Sequence, residues 1–225
     1  MKKTLIFCAV LASFSGNAQE KSSPMRSLFN GKDLKGWYSF LKTKGKNSDP
    51  EKVFTVEHGL LHISGKEFGY ICTKETFKDF HLAVEFKWGI KKWPPRDADT
   101  TKRDNGIMFN VPLHAKDTVW PKSIECQIQE GDVGDFWLID SVTILANGMR
   151  TQPDSFTRVI KQRNGELPTG QWNRVEVISR NGKIKYIVNG VLVNEGEAPS
   201  ITEGKILIQS EGAETYYRKI EIEKY

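Results

Sequence analysis

Residues 80–88 set the pattern for the whole chain. Phe80, Leu82, Val84, Phe86 and Trp88 alternate with His81, Ala83, Glu85 and Lys87, the two-residue period of a half-buried strand. Lys183 to Val193 reads as a hairpin turning at Asn189-Gly190, a pair that accepts the left-handed backbone of a two-residue turn. Asn181-Gly182 marks the turn before it. The same reading predicts strands at 53–57, 60–64, 69–73, 106–111, 123–130, 136–146, 156–161, 172–180, 205–210 and 215–224. No apolar stripe of helical spacing falls between them. Many short strands without intervening helices predict one antiparallel β-sandwich domain over residues 28–225, with Phe80, Val84 and Phe86 between its sheets. The polar stretch from Lys91 to Asn105 is the one insertion-like loop, and long loops in compact domains often carry function.

The N-terminus points to export. Lys2 and Lys3 precede an apolar run from Leu5 to Phe14, which ends at the small residues Gly16-Asn17-Ala18. This is the layout of a signal peptide spanning residues 1–18, giving a periplasmic or secreted protein. The run is too short to span a bilayer, and Cys8 follows Phe7, a poor match to a lipoprotein cleavage box, so no membrane anchor is expected. Residues 19–27 read as a flexible polar lead-in. The formal net charge is +5, mixed in sign along the chain with no long basic run, which gives nucleic acid little weight as a partner. Cys72 and Cys126 sit among apolar strand residues and read as buried free thiols. No Cys/His spacing resembles a zinc site, so neither metal nor cofactor is expected.

The candidate chemistry gathers on Ser123 to Glu130. Alternation puts Glu125, Gln127 and Gln129 on one face and Ile124, Cys126 and Ile128 on the other. That polar row is either a plain solvent face or the lining of a concave sheet. Its flanks favour the lining: Trp120 precedes it, and Gly131-Asp132-Val133-Gly134-Asp135-Phe136-Trp137 follows. Aromatic faces beside carboxylates and amides suit a sugar, whose C–H faces stack on rings while its hydroxyls take hydrogen bonds. The Glu125, Gln127, Glu130 spacing also resembles the signature of retaining laminarinase-like glycosidases, which use two carboxylates about 5–5.5 Å apart. Gln127 replaces the middle acid here, and without a bulge at Gln129 the Glu130 side chain faces the core. His58, His62 and His81 read as structural or solvated, whereas His114, in a loop near Trp120, is an open candidate. Lys87 shares a face with Glu85 and could meet Glu125 on the sheet, although strand lysines usually run along the surface with the charge in water. Trp37 and Trp172 read as packing residues, and Arg218 as a member of a structural ion pair.

A resemblance covers nearly all of the chain after residue 27. Leu28-Phe29-Asn30-Gly31-Lys32-Asp33-Leu34-Lys35-Gly36-Trp37 resembles the opening of the 3-keto-disaccharide hydrolase domain family. Phe77 to Leu82, Asp104-Asn105-Gly106-Ile107, Ile124-Glu125-Cys126-Gln127, Trp172-Asn173, Asn189-Gly190-Val191, Ile208-Gln209 and Tyr217 to Ile220 resemble later pieces in the family's order. The resemblance implies a concanavalin A-like sandwich (jelly roll) acting on glycosides oxidised at C3. A C3 ketone acidifies the C2 hydrogen, so a base can remove it, the C1 substituent leaves by β-elimination, and water adds to complete a net hydrolysis. On that basis Glu125 is the acid/base candidate, with Glu211 and His114 as secondary candidates. Gln127 and Asn105 would bind hydroxyls, Trp120 and Trp137 would stack, and Lys87 and Asp135 would add contacts to a small glycoside or oligosaccharide. Two departures stand out. Met108-Phe109-Asn110 lies where many members carry an Arg, and Ser210-Glu211-Gly212 where many read His-Gly. A non-catalytic carbohydrate-binding module and a two-carboxylate glycosidase using Glu125 and Glu130 are the alternatives.

Overall fold

The computed structural model describes residues 24–225, so the signal-peptide segment lies outside the described residues. The strands form two sheets, one of ten strands and one of nine, with every pairing antiparallel. In the ten-stranded sheet Phe80–Lys92 runs between Asn173–Arg180 and Ala213–Lys224. Its alternate residues Phe80, Leu82, Val84 and Phe86 are fully buried against Ile107, Phe109, Ile124, Cys126 and Ile208 of the facing sheet. Phe80 meets Phe109 edge to face at 5.9 Å. Tyr186 crosses the interior and donates its hydroxyl to the backbone carbonyl of Glu125 at 3.1 Å, which ties that strand down from behind.

Turn chemistry follows the sequence. Asn189 and Gly190 have φ of 50° and 83°, as a two-residue hairpin turn requires. Cys72 and Cys126 are buried and free. Elsewhere the boundaries move. Residues 136–146 are not one strand: Phe136–Ile139 belongs to the nine-stranded sheet and Leu145–Ala146 to the other. Asp140 and Ser141, at φ of 59° and 63°, turn the chain between them. The strand from Ser123 stops at Gln127, because the chain turns through Gly131 and Gly134, both left-handed, and Gly134 N–H closes back on the Gln127 carbonyl at 2.9 Å. Trp37–Leu41 is a strand the pattern did not predict; it pairs with Gly69–Thr73. Within the expected lead-in, Arg26–Ser27 pairs with Ala213–Lys224 and is part of the fold.

The outer face of each sheet has its own character. On the ten-stranded sheet, Glu85 meets Arg218, Lys219 and Arg174. Lys87 sits among aromatic rings there, 5.1 Å from the Trp172 centroid and 5.8 Å from that of Tyr216. On the nine-stranded sheet, Tyr70, Cys72, Met108 and Leu207 form a second buried apolar cluster. Beside it lie Glu125, Gln127, Gln209 and Glu211.

Candidate active site

Register brings the site together. Glu125 pairs with Met108 on one side and Trp137 on the other, and Gln127 pairs with Gly106. Gly106 is required by close approach, since a Cβ there would run into both Glu125 Oε1 and Gln209 Oε1. The missing side chain lets these two oxygens converge. Glu125 is 4% exposed, and no described donor reaches its carboxyl oxygens. Burial, and then the negative charges of Glu211 and Asp104, push its pKa well above the usual carboxylate range.

Glu211 is the second acid. Its Oε1 accepts from Trp120 Nε1 at 2.5 Å and from Gln209 Nε2 at 3.4 Å. Burial and Asp104 push it up to about 8, against the Trp120 hydrogen bond and the Arg96 charge. Asp104 completes the acidic group. It is also raised by burial, although Arg96 forms an ion pair with it and Gln129 Nε2 donates to it at 2.8 Å. Among the described residues, Arg96 is the one cation lining the cavity, and it comes from the long polar loop. Lys92 Nζ and Trp93 Nε1 brace that loop through the carbonyls of Thr101 and Ser64, both at 2.9 Å. A Cβ on Gly212 would stand 2.8 Å from Arg96 Cγ, so glycine there leaves room for the guanidinium stem.

These groups line a cavity of about 460 Å³, a size that suits a small ligand. Arg96, Asp104, Glu125, Gln127, Gln129 and Glu211 supply its polar lining, and Trp120, Trp137, Ile139 and Phe156 its apolar walls. Among the described residues, five buried side-chain polar atoms lack a partner, although buried polar groups are normally satisfied. Two of them, Arg96 Nε and Asp104 Oδ1, belong to residues that line the cavity, and a third, Gln209 Oε1, lies beside Glu125 Oε1 over Gly106. No group of three or more His, Cys, Asp or Glu among the described residues is placed to hold a metal ion.

The structure gathers Glu125, Gln127, Trp120, Trp137 and Glu211 and leaves the other candidates outside the cavity. Asn105 is fully buried beside it. Its amide donates to the Gln209 carbonyl, and its oxygen accepts from Gly106 N–H and the Tyr217 hydroxyl. Asp135 is spent on Arg158 and the Lys161 N–H, and Arg158 in turn lies 5.9 Å from the Trp137 ring centroid. Lys87 is on the outer face of the opposite sheet, so it cannot meet Glu125. His114 is exposed and lines a separate depression beyond Trp120. Glu130 does not face the core, because the strand has already ended; it pairs with Arg103 at 3.0 Å and accepts from Thr169 at 2.5 Å. Arg96, Asp104, Gln209, Ile139 and Phe156 were not singled out as site residues. The length and polarity of the 91–105 loop were the signal for the first two.

The two packed antiparallel sheets define a concanavalin A-like sandwich with an acid-lined, tryptophan-walled cavity on one face. The chain belongs to the 3-keto-alpha-glucoside-1,2-lyase-like domain family, which matches residues 24–223. No curated protein matches it by sequence. Among solved structures, a candidate glycosyl hydrolase of Parabacteroides distasonis superposes with a TM-score of 0.60 at 18% identity, covering 89% of this chain and 94% of that one. The β-glucanase of Bacillus licheniformis gives 0.56 at 12% identity, with 91% and 99% covered. A carbohydrate-binding module of Bacillus subtilis gives 0.51 at 9%, with 82% and 93% covered. Identities this low speak for the fold alone.

Proposed function

We propose that the protein is an exported enzyme that cleaves 3-keto-glycosides by elimination and hydration, a net hydrolysis. One carboxylate removes the C2 hydrogen, and the electron pair moves to the C3 oxygen as an enolate. The enolate collapses to the ketone, a C1–C2 double bond forms, and the C1–O bond breaks as the second carboxyl protonates the leaving oxygen. Water then adds at C1 and a proton returns to C2. Family membership supports the substrate class. The carrying observation within the chain is the pair Glu125 and Glu211, both buried and both raised, at the wall of one cavity. A carboxyl tuned toward neutrality can be held protonated as an acid and is a stronger base once deprotonated. Arg96, whose Nε has no partner, is the donor for the enolate oxygen. Gln127 and Gln129 bind hydroxyls, and Trp120 and Trp137 stack on the sugar.

A binding module has no use for raised acids in a cavity; it needs only a shallow platform. The test is to incubate the protein, without its leader, with aryl 3-keto-glucosides and with the unoxidised parents. Aglycone release from the oxidised substrates alone is expected. Release from the parents would favour direct two-carboxylate hydrolysis, and binding without release would favour the module.

A further inference from the structure

The outer face of the nine-stranded sheet is open only over part of its width. Tyr70, Cys72, Met108 and Leu207 lie on that face yet are at most 1% exposed, because Tyr38 and Phe40 pack against them together with Ala115 of the segment 112–122. Asp117 fixes this segment. Its Oδ1 accepts from the Tyr70 hydroxyl at 2.6 Å and the Tyr38 hydroxyl at 3.1 Å, and its Oδ2 accepts from Lys46 Nζ at 3.2 Å. Lys46 lies 3.9 Å from the Tyr38 ring centroid. Burial alone would raise the Asp117 carboxyl, but these hydrogen bonds and the Lys46 charge hold it below the usual range. Toward the segment's other end, Trp120 donates to Glu211, and its ring meets Phe68 and Phe156 edge-on at 6.2 and 5.9 Å. Trp120 therefore stands between the cavity and the depression lined by His114, Lys116 and Lys122.

We propose that residues 112–122 form a strap that ends the sugar groove at Trp120, so the site takes a terminal sugar and rejects a unit inside a chain. Asp117 is the positioning residue behind that specificity; it lines no part of the cavity and acts through the strap. This rests on the 3-keto-glycoside reading and deepens it. A chain lying across the sheet past Glu125 would have to pass through Trp120 and the Asp117 cluster. Phe156 stands with Trp120 at this end; beyond Gln127, at the other end of the strand, the cavity is lined by the half-buried Gln129 and Arg96, and a leaving group can depart there. That orientation turns the opposite edge of the ring, with its O4, toward the strap.

Two substrates test the proposal: methyl 3-keto-glucoside, and the same sugar carrying a glucose on O4. The wild type should cleave the first with a kcat/KM at least about 100-fold higher, the scale of a blocked binding geometry. Asp117→Ala should cut that preference to about tenfold or less, chiefly by raising KM for the first substrate. Asp117→Asn keeps an acceptor for the tyrosine hydroxyls and should retain most of the preference. Wild-type cleavage of both substrates at similar efficiency overturns the inference and leaves the reaction standing. Cleavage of neither removes the reaction and the inference with it. A folded Asp117→Ala protein with unchanged preference overturns the role of Asp117.

Discussion

Glu85 and Glu125 are both buried strand carboxylates on outer faces of the same sandwich, and their surroundings are opposite. Glu85, 8% exposed, is met by Arg218, Lys219 and Arg174. Burial alone would raise its carboxyl, but the bonds from Arg218 and Lys219 bring it below the usual range. Glu125, 4% exposed, has no cation of its own and faces two further acids. One face is compensated for stability. On the other, compensation is withheld, and the proton becomes available for chemistry.

The contrast makes graded predictions. Glu125→Gln keeps the shape and deletes proton transfer, a role worth about 10²–10⁴-fold, and turnover should fall by that much. Stopped assays on a 3-keto-glucoside would measure it, with sugar affinity little changed. Arg96→Ala removes the cation that lines the cavity and the proposed enolate donor, and should cost about 10²–10³-fold in kcat. By contrast, Glu130→Gln should change kcat less than about threefold, because Glu130 is engaged with Arg103 and Thr169 away from the cavity.

Stability should split the two faces by pH. Glu211 has a folded pKa raised to about 8, so the folded state holds its proton more tightly than the unfolded chain. Its contribution is full at low pH and is lost as pH rises from the ordinary carboxylate range through about 8. Melting scans should show Glu211→Gln matching the wild type at about pH 5 and exceeding it at about pH 9. Glu85 has a lowered folded pKa, so its contribution is present above the ordinary range and is lost as pH falls through the folded value. Glu85→Gln should cost about 1 kcal/mol at neutral pH, since its partners are partly exposed, and leave turnover unchanged. A Glu85 variant that lost activity would break the comparison.

The sequence disclosed one face better than the other. Period-two alternation exposed the core row from Phe80 to Trp88 and the Glu125–Gln127 row, because both lie within single strands. It also placed Lys87 on a polar face, but alternation cannot say which sheet a strand joins, and Lys87 lies on the far side of the sandwich. Asp104 and Arg96 come from a loop with no period, so only its length marked it. Glu130 was misplaced because alternation was carried past Gln127, where Gly131 and Gly134 turn the chain. Asn105 was picked out by its place in the family pattern, but the fold uses its amide to bond the Gln209 carbonyl. Glu211, beside Gln209 at the end of the strand Glu203–Ser210, was found by its place in the family pattern rather than by periodicity.

The most direct measurement is cleavage of a 3-keto-glucoside in heavy water, with deuterium counted at C2 of the product against an enzyme-free control. Elimination followed by hydration breaks the C2–H bond in every turnover and rebuilds it from solvent. The wild type should therefore yield product carrying one deuterium at C2, and Glu125→Gln should yield almost none in the same time. Product formed at full rate with its original hydrogen still on C2 would contradict the account.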